Sequence, residues 1–427
     1  MDKLNKKLCD EWNLNRNKNP ITKRTIKPEG TIYKSILKKC SKFDEIKIED
    51  NENDRIKFFK FMNKILRDIN NKNSNENCIS CDSFNKNCKI GDFIKIGDLI
   101  SSGTLSGIIY KTIINDNQVC VKIVNDYLTT SKKLSNNDVH SEIRTLEFLT
   151  KYVIKTGFPH FPITYDVLKC ERKLLDKYHN IPNDIMKIYN QYKKGNILMI
   201  MSELADGSLK SFYRNEIKED YKNKKILLNT FGQIFISLIF YHKIINAFHS
   251  DSHEGNFLFR RIESGGYYHY NIYGKDYYIE NLGYVWEIWD FGLTVAFSNS
   301  EEVNKDRIDA IKEPLFSFKY KKPRKLSNYF SPDSGRLNIL YDYYYNIADP
   351  THNYMIRLFP ENNDTKYLYD FFNELNGRDF ISKNVSLDPL NIRNVDNCVL
   401  GFMLKHNLIK DKINNNDKVI NKTPYTI

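Results

Sequence analysis

Apolar positions become dense enough to build regular elements from Ile90 onward and stay so to about Ile409. Short apolar or alternating runs predict strands at 98–102, 107–114, 118–124 and 196–201. A helix around 142–150 interrupts them. The stretch 226–242 then sets Leu227, Phe231, Ile234, Phe235 and Leu238 on one helical face. Further on, YYHYNIY (267–273) and YYIEN (277–281) flank Gly274-Lys275-Asp276, which reads as a hairpin with its turn. Before Ile90 the texture differs. Ile56, Phe59, Met62, Ile65, Leu66 and Ile69 recur at helical spacing, and the run breaks into the Asn/Ser-rich linker NNKNSNENCISCDSFNKNC. The last stretch, KDKINNNDKVINKTPYTI, reads as a loose tail. Strands first and helices later make the dense part an α+β chain.

Composition narrows this picture. With 427 residues, 41% hydrophobic and 13% aromatic, the chain can bury a core of two or three domains. The Asn, Lys, Ile and Tyr bias is that of AT-rich coding DNA and carries no mechanism. The formal charge is +12, and residues 1–40 hold eleven Lys/Arg against four acids, so more than half the excess sits in that tenth of the chain. Such an arm suits nucleic acid, acidic protein or an anionic surface, or is simply a solvated face. The first residues, MDKLNKKLCD, lead into polar sequence and not into a secretory h-region. The longest strongly apolar region, 231–241, is too short to span a bilayer, so a soluble protein is expected. Eight cysteines at this length are no disulfide framework by density, and reduced thiols are the default. Cys78, Cys81 and Cys88 give a C-x-x-C with one extra cysteine, one ligand short of a zinc site.

The candidate chemistry appears as an ordered series. ISSGTLSGIIYK (100–111) places Ser101, Gly103 and Gly107 between two strands, where backbone can close over phosphates without hindrance from Cβ. The next strand carries Lys122 between Val121 and Ile123. Twenty residues on, Glu142 opens a helix and can hold that ammonium as an ion pair. ILMIMSELADGSLKSFY (197–213) runs from an apolar strand through Glu203, Ala205 and Asp206 into a helix that Asp206 or Ser208 would cap. FHSDSHEGNFLF (248–259) follows the long helix, and VWEIWDFGL (285–293) delivers Asp290-Phe291-Gly292 from a strand. Moving a γ-phosphoryl group requires a cradle for phosphates, a cation on them, acids for Mg²⁺ and a carboxylate that aligns the acceptor. Lys122, Glu142, Asp251, Asn256 and Asp290 supply these groups in the required order.

From Gly97 to Gly292 the chain therefore resembles the protein-kinase-like superfamily, a match specific only when its motifs are taken jointly. The resemblance implies a two-lobed fold, with a β-rich small lobe at 91–202 and a helical large lobe at 203–410, behind an N-terminal extension. It implies ATP and Mg²⁺ as cofactors. Adenine would meet backbone at Glu203 and Ala205, Asp206 would reach a ribose hydroxyl, and Lys122 would pair the phosphates under the Ser101–Gly103–Gly107 loop. Asn256 and Asp290 would hold the metal. Asp251 would be the proton acceptor, with His249 bracing its loop. His253 stands where protein kinases usually keep lysine. In this the chain is similar to haspin-like kinases and to aminoglycoside and choline kinases. Ser250 replaces an arginine that contacts phosphorylated activation loops, and no A-P-E follows Asp290. Asn256 and Asp290 are also 34 residues apart, the excess being the hairpin.

A second resemblance lies at 1–40. Cys9, Trp12, Asn19-Pro20, Thr22, Ile26-Lys27, Gly30, Tyr33 and Cys40 look like the two-cysteine adaptor domain fused to kinases of large DNA viruses. It implies a viral protein-interaction unit, followed by a helical and linker segment at 41–90 and, at the other end, a tail at 411–427. The pairing of Cys9 with Cys40 stays open. The expectation is a viral serine/threonine protein kinase acting on a protein hydroxyl, in host cytoplasm and virion. It would have a viral partner at 1–40 and a basic arm open to nucleic acid. A small-molecule kinase and a pseudokinase scaffold are the alternatives.

Overall fold

The computed structural model describes residues 52–72, 78–81, 88–91, 94–104, 107–114, 116–126, 139–171, 195–217, 224–249, 251–296, 366–375 and 392–427. It also describes short pieces at 18–19, 21–25, 30–32, 35–36, 184–186, 190, 342–343 and 363. Two compact units divide the chain, Met1–Lys57 and Phe58–Ile427. In the first, Lys18 bridges Thr25 across a turn gathered by Asn19. The Asn19 carboxamide oxygen accepts from the amides of Ile21 (2.9 Å) and Thr22 (3.0 Å), an Asx-turn device. Cys9, Cys40 and Ser250 lie outside the described residues.

The second unit is a mixture of helices and mostly antiparallel sheet. Helix α1 (Glu52–Lys72) enters it, and Phe58, Met62 and Leu66 are buried at helical spacing. Seven strands then form one antiparallel sheet: β1 (Ile79–Ser80), β2 (Lys89–Ile90), β3 (Ile94–Thr104), β4 (Gly107–Ile114), β5 (Asn117–Asn125), β6 (Thr164–Cys170) and β7 (Ile197–Ser202). Their order is β1-β2-β3-β4-β5-β7-β6. Strand β4 alternates half-buried and buried residues, as a sheet with one solvated face requires, whereas β7 is buried at every position. Helix α2 (Val139–Thr156) packs Leu146, Leu149 and Val153 into the core. The strands and helix expected from periodicity are all present, with β3 longer than expected. Its register slips at three places before it meets β4 at Thr104↔Gly107.

Beyond β7, a short β8 (Gly207–Ser208) leads into α3 (Leu209–Asn215). Ser208 is the cap, in a box with Ser211, so Asp206 is excluded from that role. Helix α4 (Lys224–Ile245) departs from the one-sided pattern expected of it. Nearly every residue from Leu227 to His242 is buried, the signature of a helix enclosed on all sides. Its polar groups are satisfied inside: Gln233 donates to the Tyr284 carbonyl (3.0 Å) and accepts from the Trp286 amide (3.1 Å). Strands β9 (Ala247–Phe248), β10 (Phe257–Arg261), β11 (Tyr267–Ile272), β12 (Lys275–Glu280) and β13 (Tyr284–Ile288) follow. After them come a 3-10 turn (Phe291–Leu293), β14 (Val295–Ala296), α5 (Lys366–Leu375), α6 (Ile392–Lys405) and β15 (Tyr425–Thr426). Strand β10 lies between β13 and β8, and β9 pairs with β14.

Three expectations are corrected. The hairpin forms, but its turn is Tyr273-Gly274 and not Gly274-Lys275-Asp276. Both turn residues have positive φ, 53° and 81°, the two-residue primed turn that suits strand twist. The C-terminal stretch is no loose tail. Strand β15 adds to β11 in parallel, Tyr425 is buried, and the amides of Ile420 and Ile427 donate to the hairpin at Tyr267 and Asn271. The cysteines of the linker are neither reduced nor metal ligands: Cys78 is bonded to Cys170 and Cys81 to Cys88. Among the described residues no group of three His, Cys, Asp or Glu side chains forms a metal cage. No described helix is long and apolar enough to cross a membrane.

The Cys78–Cys170 bond closes a separation of 92 residues and ties the segment before β2 to the end of β6. Its main effect is to restrict the unfolded chain. Cys170→Ser is expected to lower unfolding free energy by about 2–4 kcal/mol. Denaturant titrations with and without reductant check this, and a wild-type midpoint indifferent to reductant would contradict it.

Candidate active site

Strand β5 carries Lys122 in full register with both neighbours, opposite Ile109 of β4 and Ile200 of β7. Its side chain is 2% exposed, so a solvated surface lysine is excluded. The Nζ donates to Glu142 Oε1 at 2.6 Å and to Asp290 Oδ1 at 2.8 Å. Glu142 comes from the first turn of α2, and Asp290 follows β13. Burial alone would lower the pKa of Lys122, but Asp290 and Glu142 more than reverse this and hold it above the ordinary lysine value. Burial raises Glu142 despite Lys122. Asp290, also penalised by burial, is held below its usual value because the ammonium dominates.

Asp290 has φ 61° and ψ 78°, a left-handed conformation that costs a non-glycine residue about 1 kcal/mol. Phe291 beside it is buried and stacked on Tyr241 of α4 (5.3 Å between centroids). That packing anchors the strained residue from behind.

The loop between β9 and β10 holds the second half of the site. His249 is fully buried. Its Nε2–H donates to the Trp289 carbonyl (2.8 Å), and its Nδ1 accepts from the Asp251 amide (3.3 Å). Burial lowers its pKa, and the two bonds fix the neutral Nε2–H tautomer. The Asn256 amide group donates to the Asp251 carbonyl (2.8 Å) and to Asp251 Oδ2 (3.1 Å). Both of its donors are thus spent on Asp251, which leaves Oδ1 as the atom able to ligate a cation. Burial first, and the Asp290 charge second, push Asp251 up to about 8. His253 Nδ1 accepts from the Gly255 amide (2.9 Å), and its Nε2 lies 3.7 Å from Asp251 Oδ2.

The remaining expected residues are more dispersed. Ser101 is an exposed member of β3 opposite Ile109, and Gly103 is near the end of the same strand. Gly107 has a reason of its own to be glycine. At φ 115° a Cβ would lie 2.7 Å from the Ile123 carbonyl oxygen and 2.6 Å from Val124. The Glu203 carboxylate accepts from the Ile163 amide (2.8 Å), with Ala205 half-buried beyond it. Asp206 accepts from the Arg261 amide (2.6 Å).

One residue escapes any motif. Asp342 is fully buried, and its Oδ2 accepts from the His249 amide (2.6 Å) and lies 2.8 Å from His242 Nε2. Its carbonyl accepts from the Ser252 hydroxyl (2.8 Å). It therefore grips the loop on both sides of Asp251. Its sequence neighbourhood, YDYYYN, gives no spacing signal that would have found it.

Lys122, Glu142 and Asp290 thus converge, as do Asp251, Asn256, His249 and His253. Around the one ammonium stand Glu142, Asp290 and the raised carboxyl of Asp251. Asn256 Oδ1 and Asp290 suit Mg²⁺, which binds through one or two protein oxygens and completes its shell with water and phosphate.

Residues 8–42 match the 2-cysteine adaptor domain family. No curated protein matches the chain.

Glu142→Gln leaves Lys122 with Asp290 alone. Because the ammonium keeps Asp290, weakening this one of its two buried bonds is expected to cost about 1–3 kcal/mol. A shift of the urea midpoint measures this, and an unmoved midpoint would show that Glu142 does not carry the pair in solution.

Proposed function

We propose that the chain is an ATP- and Mg²⁺-dependent phosphotransferase with the two-lobed protein-kinase-like architecture, acting on a protein hydroxyl. The observation that carries this is the buried Lys122, held by Glu142 and Asp290 from two other elements. In this reading the seven-stranded sheet with α2 is the small lobe, and the part from Glu203 onward is the large one. Lys122 pairs with the phosphates once nucleotide binds. Asp290 and Asn256 would hold the Mg²⁺, which would supply charge neutralisation at the phosphoryl oxygens. Asp251 orients the acceptor hydroxyl and takes its proton, and a carboxyl raised by burial is suited to that task. Neutral His249 fixes the Asp251 backbone by accepting its amide. Adenine meets the backbone at Glu203 and Ala205.

The adaptor-like segment at 8–42 supports a viral kinase that is positioned by a protein partner, in host cytoplasm or virion. The basic arm is available to nucleic acid. His253, with Nε2 close to Asp251, favours a second reading in which the acceptor is a small alcohol bound beside that carboxylate. A pseudokinase is disfavoured, because Lys122, Glu142, Asp251, Asn256 and Asp290 are all retained.

Purified protein with γ-labelled ATP and Mg²⁺ is expected to transfer label to a protein hydroxyl. Asp251→Asn should reduce kcat roughly 10²- to 10⁴-fold. Asp290→Asn tolerates the left-handed backbone and should remove Mg²⁺-dependent transfer without unfolding the chain. Label transfer that persists in Asp290→Asn, or that ignores chelation of Mg²⁺, would refute the assignment.

A further inference from the structure

The grip of Asp342 on the catalytic loop is one end of a longer buried chain of polar contacts. His242 of α4 lies 2.8 Å through Nε2 from Asp342 Oδ2, and 3.4 Å through Nδ1 from the Tyr343 hydroxyl. Tyr343 donates to Asp396 Oδ1 (3.2 Å) on α6. The other oxygen of Asp396 accepts from the Tyr273 hydroxyl (2.5 Å), and Tyr273 is the first turn residue of the β11–β12 hairpin. The Tyr273 amide donates to the carbonyl of Ile427, the last residue (3.0 Å). His242, Asp342 and Asp396 have no exposed surface, and Tyr343 has 1%.

A hairpin turn needs none of this. A surface turn of this type is satisfied by Asn, Asp or Gly, residues that tolerate positive φ. Here a tyrosine occupies the position at φ 53°, with Arg393 5.2 Å and Lys243 5.8 Å from its ring centre. A bulky residue held in that conformation implies that the side chain has work elsewhere. Asp396 is no free gain either. Burial pushes it up to about 6, with His242, Tyr273 and Tyr343 pulling against the rise, so at neutral pH it is a buried carboxylate whose oxygens both accept. Removing either tyrosine hydroxyl leaves one oxygen without its donor, and the natural response is a shift of the remaining members.

We propose that Tyr273 is a positioning residue for the Asp251 loop, acting through Asp396, Tyr343, His242 and Asp342. The inserted hairpin and the C-terminal strand that holds it thereby become part of the support of the catalytic centre. The link to catalysis rests on the phosphotransferase reading, whereas the mechanical coupling does not.

Tyr273→Phe removes a single hydroxyl and keeps the ring between its two cations. Lys275→Ala, an exposed hairpin residue outside the chain of contacts, is the control. In the full-length protein, Tyr273→Phe is expected to accelerate hydrogen exchange of the amides between 249 and 256 ahead of those of strands β4 and β5, with the chain still folded. It should lower kcat roughly tenfold, the scale of a small misplacement of a catalytic group, with KM for ATP unchanged. Lys275→Ala should do neither. Tyr343→Phe should give the same loop exchange, and the double variant should show less than the sum of the two effects. Unchanged exchange at 249–256 in Tyr273→Phe, or unchanged kcat in an active protein, overturns the proposal. A wild type without transfer activity would sink the phosphotransferase reading, and the exchange result would still decide the coupling.

Discussion

The site depends on one arrangement of charge: an ammonium out of water, bracketed by two carboxylates from different elements. Lys122 comes from the middle of the sheet, Glu142 from a helix packed on it, and Asp290 from the end of a strand in another sheet. Each ion alone would lose several kcal/mol of hydration on burial. Together they offset that loss, but only while sheet, helix and the segment after β13 keep their spacing. The pair is therefore both a charge feature and a clamp on the geometry of the fold. Asp251 adds a third carboxyl nearby, raised to about 8 by burial first and by the Asp290 charge second.

Rigid supports surround this electrostatic centre. His249 spends both ring nitrogens on backbone. Asn256 spends both amide hydrogens on Asp251. Phe291 is locked on Tyr241, which holds Asp290 in a conformation it would not choose alone. In the proposed phosphotransferase reading, groups fixed in this way need little reorganisation when charge develops in a transition state.

Much of this was legible in the sequence because it rests on local periodicity and short spacing. Strand alternation located β4 and β5, and with them Lys122. The spacing of His249, Asp251 and Asn256 located the loop, and Asp290 was visible at the end of an apolar run. What escaped depends on contacts between distant segments. Asp342 sits in an aromatic stretch with no signature, and only the fold brings it under His249. The C-terminal residues are polar and poor in periodicity, yet they pair with β11 because backbone hydrogen bonding needs no apolar pattern. Cysteine density argued for thiols, but pairing depends on Cα separation, which density does not contain. Gly107 was visible as glycine for one reason and is required for another, the approach of β5.

The β11–β12 hairpin is tied to the buried groups behind the Asp251 loop. Strands β11 and β12 pair through six residue pairs, and β15 pairs with β11 at Tyr270 and Asn271. Nothing in that requires contact with the centre of the molecule. Its tip nevertheless donates to a buried carboxylate on α6, whose other oxygen takes the Tyr343 hydroxyl. Once Asp396 is buried, loss of Tyr273 is costly, and the same holds for each member back to Asp342. The hairpin is then held in place by the penalty for unpaired buried polar groups, a penalty that falls on the loop bearing Asp251.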